Sequence, residues 1–115
     1  MPQVNKHQPL HHYQWGNACK AWVLVDTEML SVKQEYMPPH TAEVFHYHQM
    51  AQQFFFIIKG TATMEVEGEV HVVMAGKGFH VLPGEIHRIA NHSEESLEFF
   101  VSSQPSTNND RYNIG

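Results

Sequence analysis

Between Leu30 and Ser102 no ten-residue segment keeps a helical period, and a turn signal interrupts the chain every few residues. Leu30 to Tyr36 alternates apolar and polar with period two, the mark of a half-buried strand. Met37-Pro38-Pro39 ends it, because proline has no N–H to give a ladder. Further strand-like runs cover Ala21–Val25, Glu43–His48, Gln53–Lys59, Thr61–Glu65, Glu69–Met74, Phe79–Leu82, Ile86–Asn91 and Leu97–Ser102. Gly60, Glu67-Gly68, Gly76 with Gly78, Pro83-Gly84 and the polar run Asn91–Glu95 separate those after Gln53. Short strands with regular turns give an antiparallel sandwich or barrel. Ala62 to Val72 reads as a tight hairpin, with Met64, Val66, Val70 and Val72 expected to face the core.

At 115 residues the chain is one domain, long enough for a core without disulfide staples. Three parts are expected: an N-terminal arm over 1–19 with one short edge strand, a barrel over 20–103, and a polar tail over 104–115. That tail is either loose or docked through Asp110 and Arg111. A net charge of −5 offers no basic patch for nucleic acid. The single cysteine, Cys19, has no partner within the chain, which fits a reducing compartment. No apolar run is long enough for a membrane, and the first residues lack the apolar stretch of a signal peptide. A cytoplasmic protein is expected.

The chemistry-bearing stretch is His46-Tyr47-His48 followed by Gln53. Imidazoles at i and i+2 of a strand point to one face. With a carbonyl oxygen from Gln53 they make three sides of a metal cage. Ten histidines in 115 residues make one such spacing unremarkable by itself. The second stretch, Gly76 to Asn91, adds weight: a strand, a Pro-Gly turn, then His87 entering another strand.

In these residues the chain resembles the cupin superfamily. The family's first motif is Gly, five residues, His-x-His, three or four residues, Glu, six residues, Gly. His46, His48, Gln53 and Gly60 fall in register, with His40 where the first Gly is usual and Gln53 where the Glu is usual. The second motif is Gly, five residues, Pro-x-Gly, two residues, His, three residues, Asn. Gly76, Gly84, His87 and Asn91 fall in register; Leu82 takes the usual Pro, and Pro83 comes one place later. Ala51 to Phe55 and Ser103-Gln104-Pro105 also resemble a group of small single-domain bacterial cupins. The resemblance implies an all-β fold, a double-stranded β-helix (jelly-roll) barrel of antiparallel strands with a central pocket.

It also implies that His46, His48, Gln53 and His87 hold one divalent transition metal: Fe, Mn, Ni, Zn, Co or Cu. Imidazole suits all of these, and three protein nitrogens leave positions open for water and substrate. Gln53 brings no charge where Glu would bring one, so it is either a weak oxygen ligand or a buried amide bonded nearby. His80 is a packed strand residue or a pocket wall; His7, His11, His12, His40, His71 and His92 are solvated. Glu85 is a turn residue and a weak candidate for acid–base work.

Three functions are open on this reading. The first is a mononuclear metalloenzyme acting on a small organic molecule, with an oxygenase-like reaction preferred and a sugar or sugar-phosphate isomerase-like reaction as alternative. The second is a non-catalytic barrel binding a small ligand, and the third a metal-free structural barrel. If Gln53, Phe55 and Ile57 face inward, then Phe54, Phe56 and Ile58 face outward and need a cover. The cover is the segment around Trp15 and Trp22 or a second copy, giving a homodimer as cupins commonly form. Met64, Met74 and Met37 would make an adaptable interior.

Overall fold

The computed structural model describes residues 3–114. Their regular structure is β throughout: β1 His11–Trp15, β2 Cys19–Asp26, β3 Ser31–Met37, β4 Thr41–Ala42, β5 His46–Tyr47, β6 Gln52–Lys59, β7 Thr61–Val66, β8 Glu69–Met74, β9 Gly78–Val81, β10 His87–Asn91, β11 Leu97–Gln104 and β12 Tyr112–Asn113. Two antiparallel sheets form a jelly-roll barrel. One runs β1-β2-β3-β11-β6-β9 and the other β12-β5-β10-β7-β8, with β4 also on β10. No helix among the described residues is long and apolar enough to cross a membrane.

Alternation builds the core. β6 buries Gln53, Phe55 and Ile57 and leaves Phe54, Phe56 and Ile58 outside at 46, 40 and 41% exposure. β11 buries Leu97, Phe99 and Val101 against them, and β7 adds Ala62, Met64 and Val66 from the facing sheet. The β6–β7 corner requires glycine. Gly60 has φ +86°, and a Cβ there would collide with the Ser96 carbonyl. Asn91, fully buried, holds the return of the chain, donating to the carbonyls of Met37, Pro38 and Glu95 at 3.0, 3.2 and 2.8 Å.

The hairpin β7–β8 departs from expectation. Glu67-Gly68 is a two-residue turn, so Val66 faces Glu69, Glu65 faces Val70 and Thr63 faces Val72. Val70 and Val72 are therefore outside, at 64 and 66% exposure, and Val73 is the buried valine of β8. Met74 is exposed as well, leaving Met37 and Met64 as the interior methionines. The apolar alternation of the two strands is out of phase with the turn that joins them, and the turn sets the register.

Of the expected strand Glu43–His48 only His46–Tyr47, β5, is strand, and the short β4 precedes the expected start. Ala42 lies opposite Ala90 and His46 opposite His87, so four steps on one side match three on the other. The extra residue makes a bulge, which re-aims the side chains after it. The tail is docked: β12 pairs with β5, placing Tyr112 opposite Tyr47 and Asn113 opposite His46.

Candidate metal centre

His46 and His87 are direct cross-strand neighbours, and His48 lies just beyond β5 on the same face as His46. Their ring centroids are 4.4 Å (His46–His87), 5.0 Å (His46–His48) and 5.4 Å (His48–His87) apart. One nitrogen from each ring lies within 4.8 Å of the others, and all three rings are buried. Gln53 reaches the same point from the other sheet, its Oε1 3.1 Å from His87 Nε2. The structure thus brings together all four residues singled out in the sequence.

The protonation of the three rings follows from their partners. His46 Nδ1 faces the Val44 carbonyl at 2.7 Å, His48 Nδ1 the Asp110 carbonyl at 2.7 Å, and His87 Nδ1 the Glu85 carbonyl at 2.8 Å. A carbonyl only accepts, so each Nδ1 carries the proton and donates it. Each Nε2 then presents a lone pair to the common centre, the arrangement that orients an imidazole ligand. Burial pulls His46 and His87 down to about 4, and lowers His48 too. At neutral pH the rings are uncharged and ready to bind a cation.

His48 Nε2 is buried without a hydrogen-bond partner among the described residues, a state that costs free energy unless something else accepts its lone pair. Gln53 is less decisive. Its Nε2 donates to Ser103 Oγ at 3.0 Å, which turns Oε1 toward the lone pair of His87. Two acceptors facing each other need a cation between them. Turned over, the amide would donate to His87 and accept from Ser103. The fit to a metal therefore rests on His48 and on three neutral imidazole nitrogens converging, a donor set suited to a first-row divalent ion.

A cavity of about 140 Å³ opens over this point, bordered by His46, His48 and Gln53. Its walls hold charges that the sequence reading did not assign to the site: Lys33, Glu35, Glu43 and Arg111. Lys33 Nζ donates to the Tyr13 hydroxyl at 2.9 Å. Glu43 accepts from the Ile89 N–H at 3.1 Å and lies 3.7 Å from Arg111 Nη1. Glu35 is pushed up to about 8, first by burial and then by the charge of Glu43. The signal for it was in β3. Lys33 and Glu35 share a strand face with Met37, and Met37 is core. A larger open hollow of about 640 Å³, lined by Asp26–Glu28 and the tail, includes none of the three histidines.

The remaining candidates lie elsewhere. His80 is exposed on the outer face, bonded to Gln52 Oε1 at 2.8 Å. Glu85 caps its own turn, its Oε1 accepting from the Leu82 N–H at 2.7 Å. His7, His11, His12, His40 and His92 are exposed, and half-buried His71 packs at a tilt against Phe79, with ring centroids 5.0 Å apart.

Glu35 gives a test by pH. Unfolded, it ionises near 4.5; folded, at about 8. Below 4.5 the carboxyl is neutral in both states. Between 4.5 and 8 only the unfolded chain has released the proton, so wild-type stability falls as pH rises and levels off above 8. Glu35→Gln removes that loss. The shift sets a ceiling of about 5 kcal/mol, and solvent at the cavity mouth reduces it to about 2–3 kcal/mol. Urea unfolding of metal-free protein should show the variant gaining that much on wild type between pH 5 and pH 9. An equal difference at both pH values would make Glu35 an ordinary surface acid.

Residues 33–103 match the family model described as "Cupin domain". No curated protein matches the chain. Among solved structures it is similar to an RmlC-like cupin from Shewanella frigidimarina, at 18% identity and TM-score 0.81 over 92% of each chain. It is also similar to a predicted oxalate decarboxylase from Thermotoga maritima, at 17% identity and TM-score 0.80, covering 91% of this chain and 100% of that one. A third is a sugar phosphate isomerase from the cupin superfamily of Silicibacter pomeroyi, at 15% identity and TM-score 0.78, covering 91% and 76%. At these identities the likeness is one of fold.

Proposed function

Because this chain belongs to the cupin domain family, we propose that it is a mononuclear metal-dependent enzyme that moves a proton on a small, oxygen-bearing organic molecule. The observation that carries this is the convergence of three buried Nε2 lone pairs, each ring fixed through Nδ1 to a backbone carbonyl. His46, His48 and His87 would hold the metal, with Gln53 Oε1 as fourth donor. A divalent ion there supplies Lewis-acid polarisation of a carbonyl or hydroxyl oxygen.

The chain supplies the rest. Glu35, protonated at neutral pH, is the group of the cavity suited to giving and taking a proton. Trp15, Phe55 and Val101 keep one side of the space apolar. The charges of Lys33 and Arg111 offset those of Glu43 and of ionised Glu35. At about 140 Å³ the cavity is smaller than the roughly 300–1,000 Å³ of ordinary ligand pockets, so the substrate is small. The oxygenase-like reaction preferred on sequence asks for open metal positions and not for an acid. The half-buried acid Glu35, on the wall of the cavity that His46 and His48 border, supports isomerase- or lyase-type chemistry instead.

Elemental analysis of protein purified without a polyhistidine tag should find about one first-row divalent ion per chain. Loaded protein in D₂O should put deuterium next to the carbonyl of one of a set of small hydroxy- and oxo-carbonyl compounds, and Glu35→Gln should stop it. Oxygen consumption without deuterium incorporation would return the reading to an oxygenase.

Gln53→Glu should bind Ni(II) or Co(II) about tenfold or more tightly, since it adds a full negative charge to a neutral donor set. Ser103 can rotate its hydroxyl to donate to the new carboxylate, so the local bond survives. Unchanged or weaker affinity at neutral pH, read by calorimetry, would place Gln53 outside the coordination shell.

A further inference from the structure

The turn after His48 is held by a residue 62 positions away. The backbone N–H groups of Gln49, Met50 and Ala51 donate to the carboxylate of Asp110 at 2.8, 3.0 and 3.0 Å. The carbonyl of the same Asp110 accepts the Nδ1 proton of His48 at 2.7 Å. Asp110 is buried, and its own N–H closes a turn onto the Thr107 carbonyl at 3.0 Å. Beyond it the chain runs along β5: Ile114 N–H donates to the Phe45 carbonyl at 2.8 Å, and Tyr112 stacks on Tyr47 with centroids 5.0 Å apart. Thr107 and Arg111 of the same segment border the cavity.

We propose that Asp110 is a positioning residue of the metal centre, and that docking of segment 107–114 and occupancy of the centre are coupled. The proposal rests on the metal reading of the three histidines. One carboxylate fixes the turn that carries His48, and one carbonyl, held in place by that fixture, sets the ring's tautomer and direction. When the segment leaves, His48 loses the partner of its Nδ1 proton and the turn loses three hydrogen bonds. An ion that needs His48 aimed at the centre therefore favours the docked segment, and by linkage the docked segment favours the ion to the same degree.

The test uses the whole chain with Ni(II) as probe. Asp110→Ala should bind Ni(II) about 10–100-fold more weakly than wild type by calorimetry. Asp110→Asn, which keeps one acceptor oxygen, should fall between them. By amide hydrogen exchange, Ni(II) should slow the N–H groups of Gln49, Met50, Ala51 and Ile114 in wild type. In metal-free Asp110→Ala those four should lose protection while β7 and β11 keep theirs, which shows the barrel intact. Ni(II) affinity within twofold of wild type in a folded variant overturns the coupling and leaves the metal reading standing. Should Asp110→Ala not fold, Asp110→Asn carries the same criterion. A wild type that binds no Ni(II) overturns both.

Discussion

The double variant His46→Ala, His48→Ala should lose stoichiometric divalent metal while remaining a folded barrel. A structural zinc site with four protein ligands is worth about 10–16 kcal/mol, so each ligand carries about 2.5–4 kcal/mol. Removing two leaves His87 and an uncharged amide and costs about 5–8 kcal/mol, roughly four to six decades in affinity. The fold should tolerate the change, because the two rings project from a two-residue strand and the turn after it. The hydrophobic cluster is built on Phe55, Ile57, Met64, Ile89, Leu97 and Phe99 instead. The Val44 and Asp110 carbonyls lose their side-chain donors, at about 1–3 kcal/mol each where water cannot reach them. Elemental analysis after dialysis, with near-ultraviolet circular dichroism to confirm tertiary packing, reads the outcome. As much metal in the double variant as in wild type would show that the ion sits elsewhere.

The second large effect concerns assembly, and we propose that two copies pair through the outer face of β6. The N-terminal strands do not cover that face, because β1 and β2 extend the sheet beyond β3. Phe54, Phe56 and Ile58 remain 46, 40 and 41% exposed, with half-buried Phe100 paired to Phe56 on β11. Burying the exposed half of each of the three contributes about 1 kcal/mol or slightly more, and a two-fold contact uses the patch twice. The sum is close to the cost of bringing two chains together, so disruption should be complete rather than partial. Wild type should scatter as about twice 13.2 kDa at micromolar concentration, and Phe54→Asp with Phe56→Asp as 13.2 kDa or as insoluble protein. A wild-type mass of 13.2 kDa throughout that range would remove the pairing.

What the sequence made legible follows local rules. Period-two alternation and Gly/Pro punctuation give most of the strands, and His-x-His on a strand gives a shared face. Gln53 anchors the phase of β6, so inward Phe55 and Ile57 and outward Phe54, Phe56 and Ile58 follow from it. Val70 and Val72 were misread because two strands each alternated well, but the two-residue turn between them fixed a register that one strand's apolar set did not match. Glu35 and Lys33 went unseen for a related reason. The apolar alternation of Leu30, Val32 and Tyr36 marks the opposite face as the inner one, whereas the strand buries Ser31 and Met37. Asp110 was suspected only as a docking point for the tail. Its partners lie about sixty residues away, and no local pattern announces a carboxylate that will accept three distant N–H groups.

The strand order also has a consequence in time. β11 lies between β3 and β6 and pairs Leu97 with Met37, sixty positions apart. Pairings this distant close late, because the loop entropy is lost before the contacts reward it. His46 meets His87 only where β5 pairs with β10, a strand that also pairs with β7. On the proposed metal reading, an ion would find His46 and His48 far in sequence from His87 in the unfolded chain, and all three together only in the barrel. It would then prolong the life of the folded state more than hasten its arrival. Which ion is carried would then be settled at the end of folding, by what is exchangeable around the finished protein.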